Sequence, residues 1–231
     1  VSPMQIQGPK SKDVLQALVG PKVADLAYYH FMEATIAGIP VIVTRTGWSA
    51  EVGYEIYVRD GSRGGDLWAS VAEAGRPFDI RPTGPSEMRR IEAGILNYPS
   101  DISLEYNPFE AGLGWLVDLD KKHAFIGKEA LRRIKRDGVT RKLVGVEIPG
   151  EKVVEPWLPE HWPVKTDRGV IGKLTALAMS PRLEKNIGYA WVPIEHSKLG
   201  TRLTIVTPAG NREALVVKKP FIDPKKKLPK S

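Results

Sequence analysis

Residues 41–58, VIVTRTGWSAEVGYEIYV, hold two runs of β-branched and aromatic residues around a loop bounded by Gly47 and Gly53. That pattern predicts two joined strands. In the second run Tyr54, Ile56 and Val58 fall on one face and Glu55, Tyr57 and Arg59 on the other. Upstream, residues 4–7 read as a short strand, and Pro9 and Ser11 open a helix with Val14, Leu15 and Leu18 on one side, closed by Gly20. Residues 22–40 are uneven, a loop-to-strand passage toward Ile36, and 39–46 form the first strand of the pair. Asp66 is expected to cap a helix that turns Leu67 and Val71 inward. Pro85 opens another, whose Met88, Ile91 and Ile95 make the buried stripe while Arg89, Arg90 and Glu92 lie off it. A basic amphipathic helix over 128–136 ends at Gly138 and connects two domains.

After residue 141 the rhythm changes. Short strands are expected at 143–148, 164–166, 170–175, 187–192, 203–207 and 214–218, with turn signals at 167–169 and 208–211. Strands in series without intervening helices suggest a small antiparallel barrel or sandwich.

Composition narrows the functional classes. With 231 residues, 42% apolar and 26% charged, the chain buries a real core as an ordinary globular protein. No apolar run reaches the length of a membrane span, so no membrane partner is expected. The absence of cysteine excludes thiol catalysis, disulfides and cysteine-ligated metals, and fits a cytoplasmic location. The net charge of +7 invites a nucleic-acid reading, but residues 218–231 carry six Lys against one Asp, +5 of the total, leaving +2 elsewhere. A lysine tail punctuated by proline reads as a solvated end, and no nucleic-acid partner is expected. His30, His123, His161 and His196 are too dispersed for a metal site or a triad. GVIGK at 169–173 is too short for a phosphate loop, and GSRGGD at 61–66 is a turn.

The Glu55 face remains. A carboxylate between aromatic rings suits a flat, nitrogen-rich heterocycle: two oxygens accept a pair of N–H bonds and the rings cover its faces. A solvated glutamate beside a surface tyrosine has the same sequence. TRTGWSAEVGYEI, however, resembles the RTGYTGEDGFEI signature of the aminomethyltransferase family, the T-protein of glycine cleavage and its relatives. RRIEAGILNYPSD is similar to that family's LRLEAGMPLYGHE, and NPFEAGLGWLVDLDKKHAFIGKEAL to its TPLEAGLGWTVKLDKGDFIGKEAL.

The resemblance implies an α+β fold: an αβ folate-binding domain over 1–137, a C-terminal β-barrel over 138–222 and a basic tail over 223–231. LALQGPKA, which matches the start of this chain, lies well inside those proteins, so a central and C-terminal part is expected. The implied cofactor is tetrahydrofolate, bound by Glu55 with Glu51, Arg90 and Tyr98. Trp48, GYEIY at 53–57 and RRIEAG at 89–94 are most similar to the dimethylsulfoniopropionate demethylase branch, in which Trp48 and Tyr57 would bind the sulfonium substrate. Pro85-Ser86-Glu87 and Ala50-Glu51-Val52 depart from the glycine-cleavage pattern. The function implied is a folate-dependent demethylase acting on a small-molecule methyl donor, without a protein nucleophile or metal; an aminomethyltransferase and a non-catalytic folate binder are the alternatives. A homodimer is compatible with the family.

Overall fold

Alternating side chains in residues 2–58 build an antiparallel sheet with one apolar and one polar face. In the computed structural model, which describes residues 2–153, 158 and 160–231, the chain divides into two compact units. The first is Val1–Ser86 with Lys225–Ser231. It contains β1 (Ser2–Gln7), α1 (Ser11–Val19), β2 (Phe31–Ile36), β3 (Ile39–Thr44), β4 (Gly53–Val58) and α2 (Gly64–Gly75), with sheet order β1-β4-β3-β2. Ile6, Val41, Val43, Tyr54, Ile56 and Val58 are buried in one cluster with Val14 and Leu15 of α1 and Leu67 and Val71 of α2. The period of two in the strands and the apolar stripes of the helices agree on one core.

Two local expectations change. Asp66 does not cap α2; it lies in the first turn, paired with Arg63 at 2.8 Å, while Asp60 accepts from the backbone of Ser62 in the 3₁₀ turn ahead. Nor is the lysine-rich end simply solvated. Lys225–Ser231 belongs to the first unit and Pro229 is buried.

The second unit, Glu87–Pro224, contains α3 (Glu87–Glu92), α4 (Lys128–Asp137) and strands β5 (Arg141–Ile148), β6 (Trp162–Thr166), β7 (Gly169–Ser180), β8 (Lys185–Pro193), β9 (Arg202–Thr207) and β10 (Gly210–Val217). They close an antiparallel barrel in the order β10-β5-β8-β7-β6-β9. Its interior takes Val144, Val146, Ala190, Val192, Leu203 and Ile205. The alternate positions of the same strands, Leu143, Tyr189 and Trp191, pack outward against Ile91 of α3 and Ala111. β7 runs beyond the expected 170–175 because its later half, Ala176 to Ser180, pairs with β8. The barrel thus has two apolar surfaces, one inside and one beneath the α3 segment.

Candidate functional site

β4 carries the polar face into register with its neighbours. Glu55 lies opposite Gln5 of β1 and Thr44 of β3, and Tyr57 opposite Pro3 and Ile42. Gln5 Nε2 donates to Glu55 Oε1 at 3.1 Å, and the Thr46 hydroxyl donates to Oε2. Thr44 Oγ1 donates to the Glu55 carbonyl at 3.4 Å. Glu55 and Tyr57 are both half-buried. The Tyr57 phenol is pushed above its ordinary pKa by burial, then by the charge of Glu55 and a hydrogen bond to it. It therefore stays protonated at neutral pH. A carboxylate held by neutral donors has lone pairs left for a ligand. On the side of Tyr57 away from Glu55, Glu33, Thr35, Ile42 and Arg59 join it around an open concavity of about 340 Å³.

The loop at 46–53 is fixed by a residue that little in its own sequence context singles out. The Gln7 side chain reaches into the loop and donates to the carbonyls of Thr46 at 3.4 Å and Tyr54 at 3.3 Å, while Ser49 Oγ donates to Gln7 Oε1 at 2.6 Å. Cβ atoms on Gly47 and Gly53 would lie 2.2 and 2.3 Å from Gln7 Oε1. Both glycines are needed for close approach rather than for an unusual φ. Gly8 N and Ser11 Oγ donate to the Val52 carbonyl at 2.8 and 3.0 Å. Trp48 and Glu51, both half-buried, ride on this pinned loop, and the Glu51 backbone N–H donates to Ser49 Oγ at 3.3 Å. The visible signal for Gln7 is the pair of glycines bracketing the loop.

Arg90 and Tyr98 lie in the second unit. Arg90 is only 1% exposed, contrary to its expected place off the buried stripe. The burial becomes possible because two carboxylates meet it, Asp101 buried and Glu87 partly exposed. Arg90 Nε lies 2.8 Å from both Glu87 oxygens, and Nη1 lies 2.6 Å from Asp101 Oδ2 and 3.2 Å from the Ile95 carbonyl. Burial works against its charge, but the Glu87 hydrogen bond and the charges of Asp101 and Glu87 outweigh it, holding its pKa above the ordinary value. Asp101, 0% exposed, also accepts from Asn97 N and Thr175 Oγ1, each at 2.8 Å. This network fixes the turn at 97–101, on which Tyr98 stands 61% exposed rather than in a core. Nearby, Lys219 Nζ donates to the Ala111 carbonyl at 3.2 Å and lies 5.5 Å from the centre of the Tyr189 ring, with its pKa pushed down to about 8 by burial.

Among the described residues no group of His, Asp and Glu is arranged to hold a metal ion, and no helix is long and apolar enough to cross a membrane. Residues 1–121 match the family model for the GCVT N-terminal domain, and residues 141–223 match that for the glycine cleavage T-protein C-terminal barrel domain. The chain belongs to the glycine cleavage T-protein family. Its T-protein relatives include the aminomethyltransferase of Halothermothrix orenii, 36% identical over 222 residues, and that of Symbiobacterium thermophilum, 38% identical over 224. These alignments cover 95% and 94% of this chain but 60% and 58% of the relatives, so the chain spans about 60% of their length. The fold is that of the glycine cleavage system aminomethyltransferase T from Bartonella henselae, with a TM-score of 0.77 at 22% identity, covering 95% of this chain and 59% of that one. In this T-protein family member the matched segment through residue 121 includes Glu87, Arg90 and Asp101, although α3 packs with the barrel as part of the second unit.

Proposed function

We propose that the protein is a tetrahydrofolate-dependent one-carbon transferase that demethylates a small methylated compound such as dimethylsulfoniopropionate, yielding 5-methyltetrahydrofolate. The observation that carries this reading is the half-buried Glu55 carboxylate, fixed by Gln5 and Thr46 beside Tyr57 on an open sheet face. Its acceptor oxygens suit the paired N–H edge of a pterin. Glu51 on the pinned loop adds to the cofactor site. Trp48 and the Tyr57 ring offer aromatic faces to a sulfonium cation, an interaction worth about 0.5–2 kcal/mol.

When bound, tetrahydrofolate would supply the amine that takes the methyl group from the sulfonium donor, the S–CH3 bond breaking to release a neutral thioether while the amine proton passes to solvent. The part left to the protein is orientation: Glu55 sets the plane of the cofactor, and Tyr57 stands next to it on the same strand. Holding two reactants in line lowers the barrier without a protein nucleophile. A second reading, an aminomethyltransferase of the glycine-cleavage type, is favoured by the names of relatives such as the aminomethyltransferases of Halothermothrix orenii and Symbiobacterium thermophilum.

Calorimetric titration of tetrahydrofolate into the wild-type protein and Glu55→Gln tests the site. Saturable binding is expected, weakened at least about tenfold in the variant, as expected for loss of a charge-assisted hydrogen bond. Equal binding by both proteins removes Glu55 from the site. A folded wild type that fails to bind ends the transferase reading. Methyl transfer from dimethylsulfoniopropionate separates the demethylase from the aminomethyltransferase, and folate binding without turnover of either donor type points to a non-catalytic binder.

A further inference from the structure

Arg45 stands between the two threonines that serve Glu55, yet its own side chain turns the other way. Thr44 and Thr46 face the polar side of the sheet and bond to Glu55, whereas Arg45 is 4% exposed on the core side. It donates to the Leu26 carbonyl at 3.5 Å, the Tyr54 hydroxyl at 3.4 Å, the Pro229 carbonyl at 3.2 Å and the Ser231 carbonyl at 2.6 Å. Its guanidinium carbon lies 5.0 Å from the centre of the Tyr54 ring. None of the four acceptors is a side-chain carboxylate, and Nε is buried without a hydrogen-bond partner. Two of the four come from Lys225–Ser231, where Lys230 N bonds to the Lys227 carbonyl and Ser231 N to the Leu228 carbonyl, each at 3.2 Å, shaping the turn that presents them.

We propose that Lys225–Ser231 is a strap whose carbonyls clamp Arg45 and thereby position the 46–53 loop and the Glu55 carboxylate. The proposal rests on the reading of Glu55 as the folate-binding group. With Nε already lacking a partner, the buried guanidinium depends the more on the acceptors of its two terminal nitrogens. Without the strap, Arg45 loses two of its four acceptors and must move toward water. Arg45 N bonds to the His30 carbonyl at 2.9 Å and its own carbonyl accepts from Tyr29 N at 3.1 Å, so that movement strains the end of β3. Successive residues in a strand face opposite sides, so rotation at Arg45 carries Thr44 and Thr46 away from Glu55. Arg45 is on this account a positioning residue, acting through its neighbours rather than touching the cofactor.

The test compares a chain ending at Pro224, Arg45→Met and, as a control for stability alone, Leu67→Ala in the same core. Proteins labelled with 5-fluorotryptophan report on the loop through the Trp48 resonance, assigned with Trp48→Phe. Truncation and Arg45→Met are expected to shift that resonance and to weaken tetrahydrofolate binding about tenfold. Leu67→Ala is expected to lower the melting temperature and leave both readouts in place. A peptide of residues 225–231 added to the truncated chain should restore them. A folded truncated chain with an unshifted resonance and affinity within about twofold of wild type overturns the strap. Should truncation prevent folding, Arg45→Lys, which keeps the charge but loses the planar fork, is read in the same way. If the wild type binds no folate, the folate reading fails while the fluorine resonance still decides the clamp.

Discussion

Glu55 in the first unit and Asp101 in the second are carboxylates surrounded by polar partners, and they end in opposite states. Asp101 is fully buried, with Arg90, Asn97 and Thr175 taking its oxygens, and Arg90 is itself shared with Glu87. Glu55 is half-buried, held by Gln5 and Thr46, and has no arginine among these donors. A buried cation cancels the charge of a carboxylate and locks it in place; neutral donors at a surface fix the group while leaving its charge available. The first arrangement makes a rigid turn and the second makes a site. The largest test of that contrast is Asp101→Ala, which strands Arg90 with half its compensation. A loss of about 3–5 kcal/mol is expected in urea unfolding. Glu55→Gln should change stability by no more than about 0.5 kcal/mol. Equal losses would mean that both carboxylates are structural.

Next in size is the loop that makes the open site rigid. Gly47→Ala places a methyl group where the Gln7 carboxamide sits, at 2.2 Å from its oxygen. Displacing that side chain gives up its bonds to the Thr46 and Tyr54 carbonyls, and a cost of about 1–3 kcal/mol is expected. Adding Gln7→Ala makes room for the methyl, so the two substitutions should be less than additive in a double-mutant cycle. Additive costs would show that the loop holds its shape without Gln7.

The closed side of the comparison is sharpened by pH. Burial lowers Lys219 to about 8, while in the unfolded chain it titrates as an ordinary lysine. Between those two values the unfolded chain carries a proton that the folded chain lacks, so stability rises with pH. Below about pH 8 both forms are protonated and the penalty is constant. From pH 8 to 9.5 the gain is expected to be on the order of 1 kcal/mol, before ordinary tyrosines ionise in the unfolded chain. Lys219→Met should flatten that rise and stabilise the protein at pH 7. An unchanged slope would mean that the ammonium is well solvated where it lies.

The sequence made the open face legible and the closed network obscure. Alternation in 54–59 separates Tyr54, Ile56 and Val58 from Glu55 and Tyr57 because a strand with one buried face must repeat every two residues. The barrel strands were readable for the same reason. Arg90 and Glu92 broke the rule that charge lies off the buried stripe: their partners, Asp101 and Ser180, are distant in sequence. Helical periodicity records which face is buried only when that face is apolar. Likewise, the carbonyls of Pro229 and Ser231 carry no side-chain signature, and nothing in a run of lysines announces that Arg45 will meet them.

The smallest expected effect concerns Tyr57, which stands on both sides of the contrast, since its phenol is partly buried and its neighbour is a charge. Burial raises its pKa first and the Glu55 charge adds to it, so Glu55→Gln should let Tyr57 ionise at lower pH, with ultraviolet absorbance following the phenolate. Tyr57→Phe removes the hydrogen bond but keeps the ring, for a stability change of about 0.5–1 kcal/mol. If the ring is what receives a sulfonium donor, Tyr57→Phe retains donor affinity while Tyr57→Leu, apolar but without a π face, loses it. Equal donor binding by the Phe and Leu variants would leave Tyr57 as an orienting partner of Glu55 alone and move the search for the donor contact to Trp48.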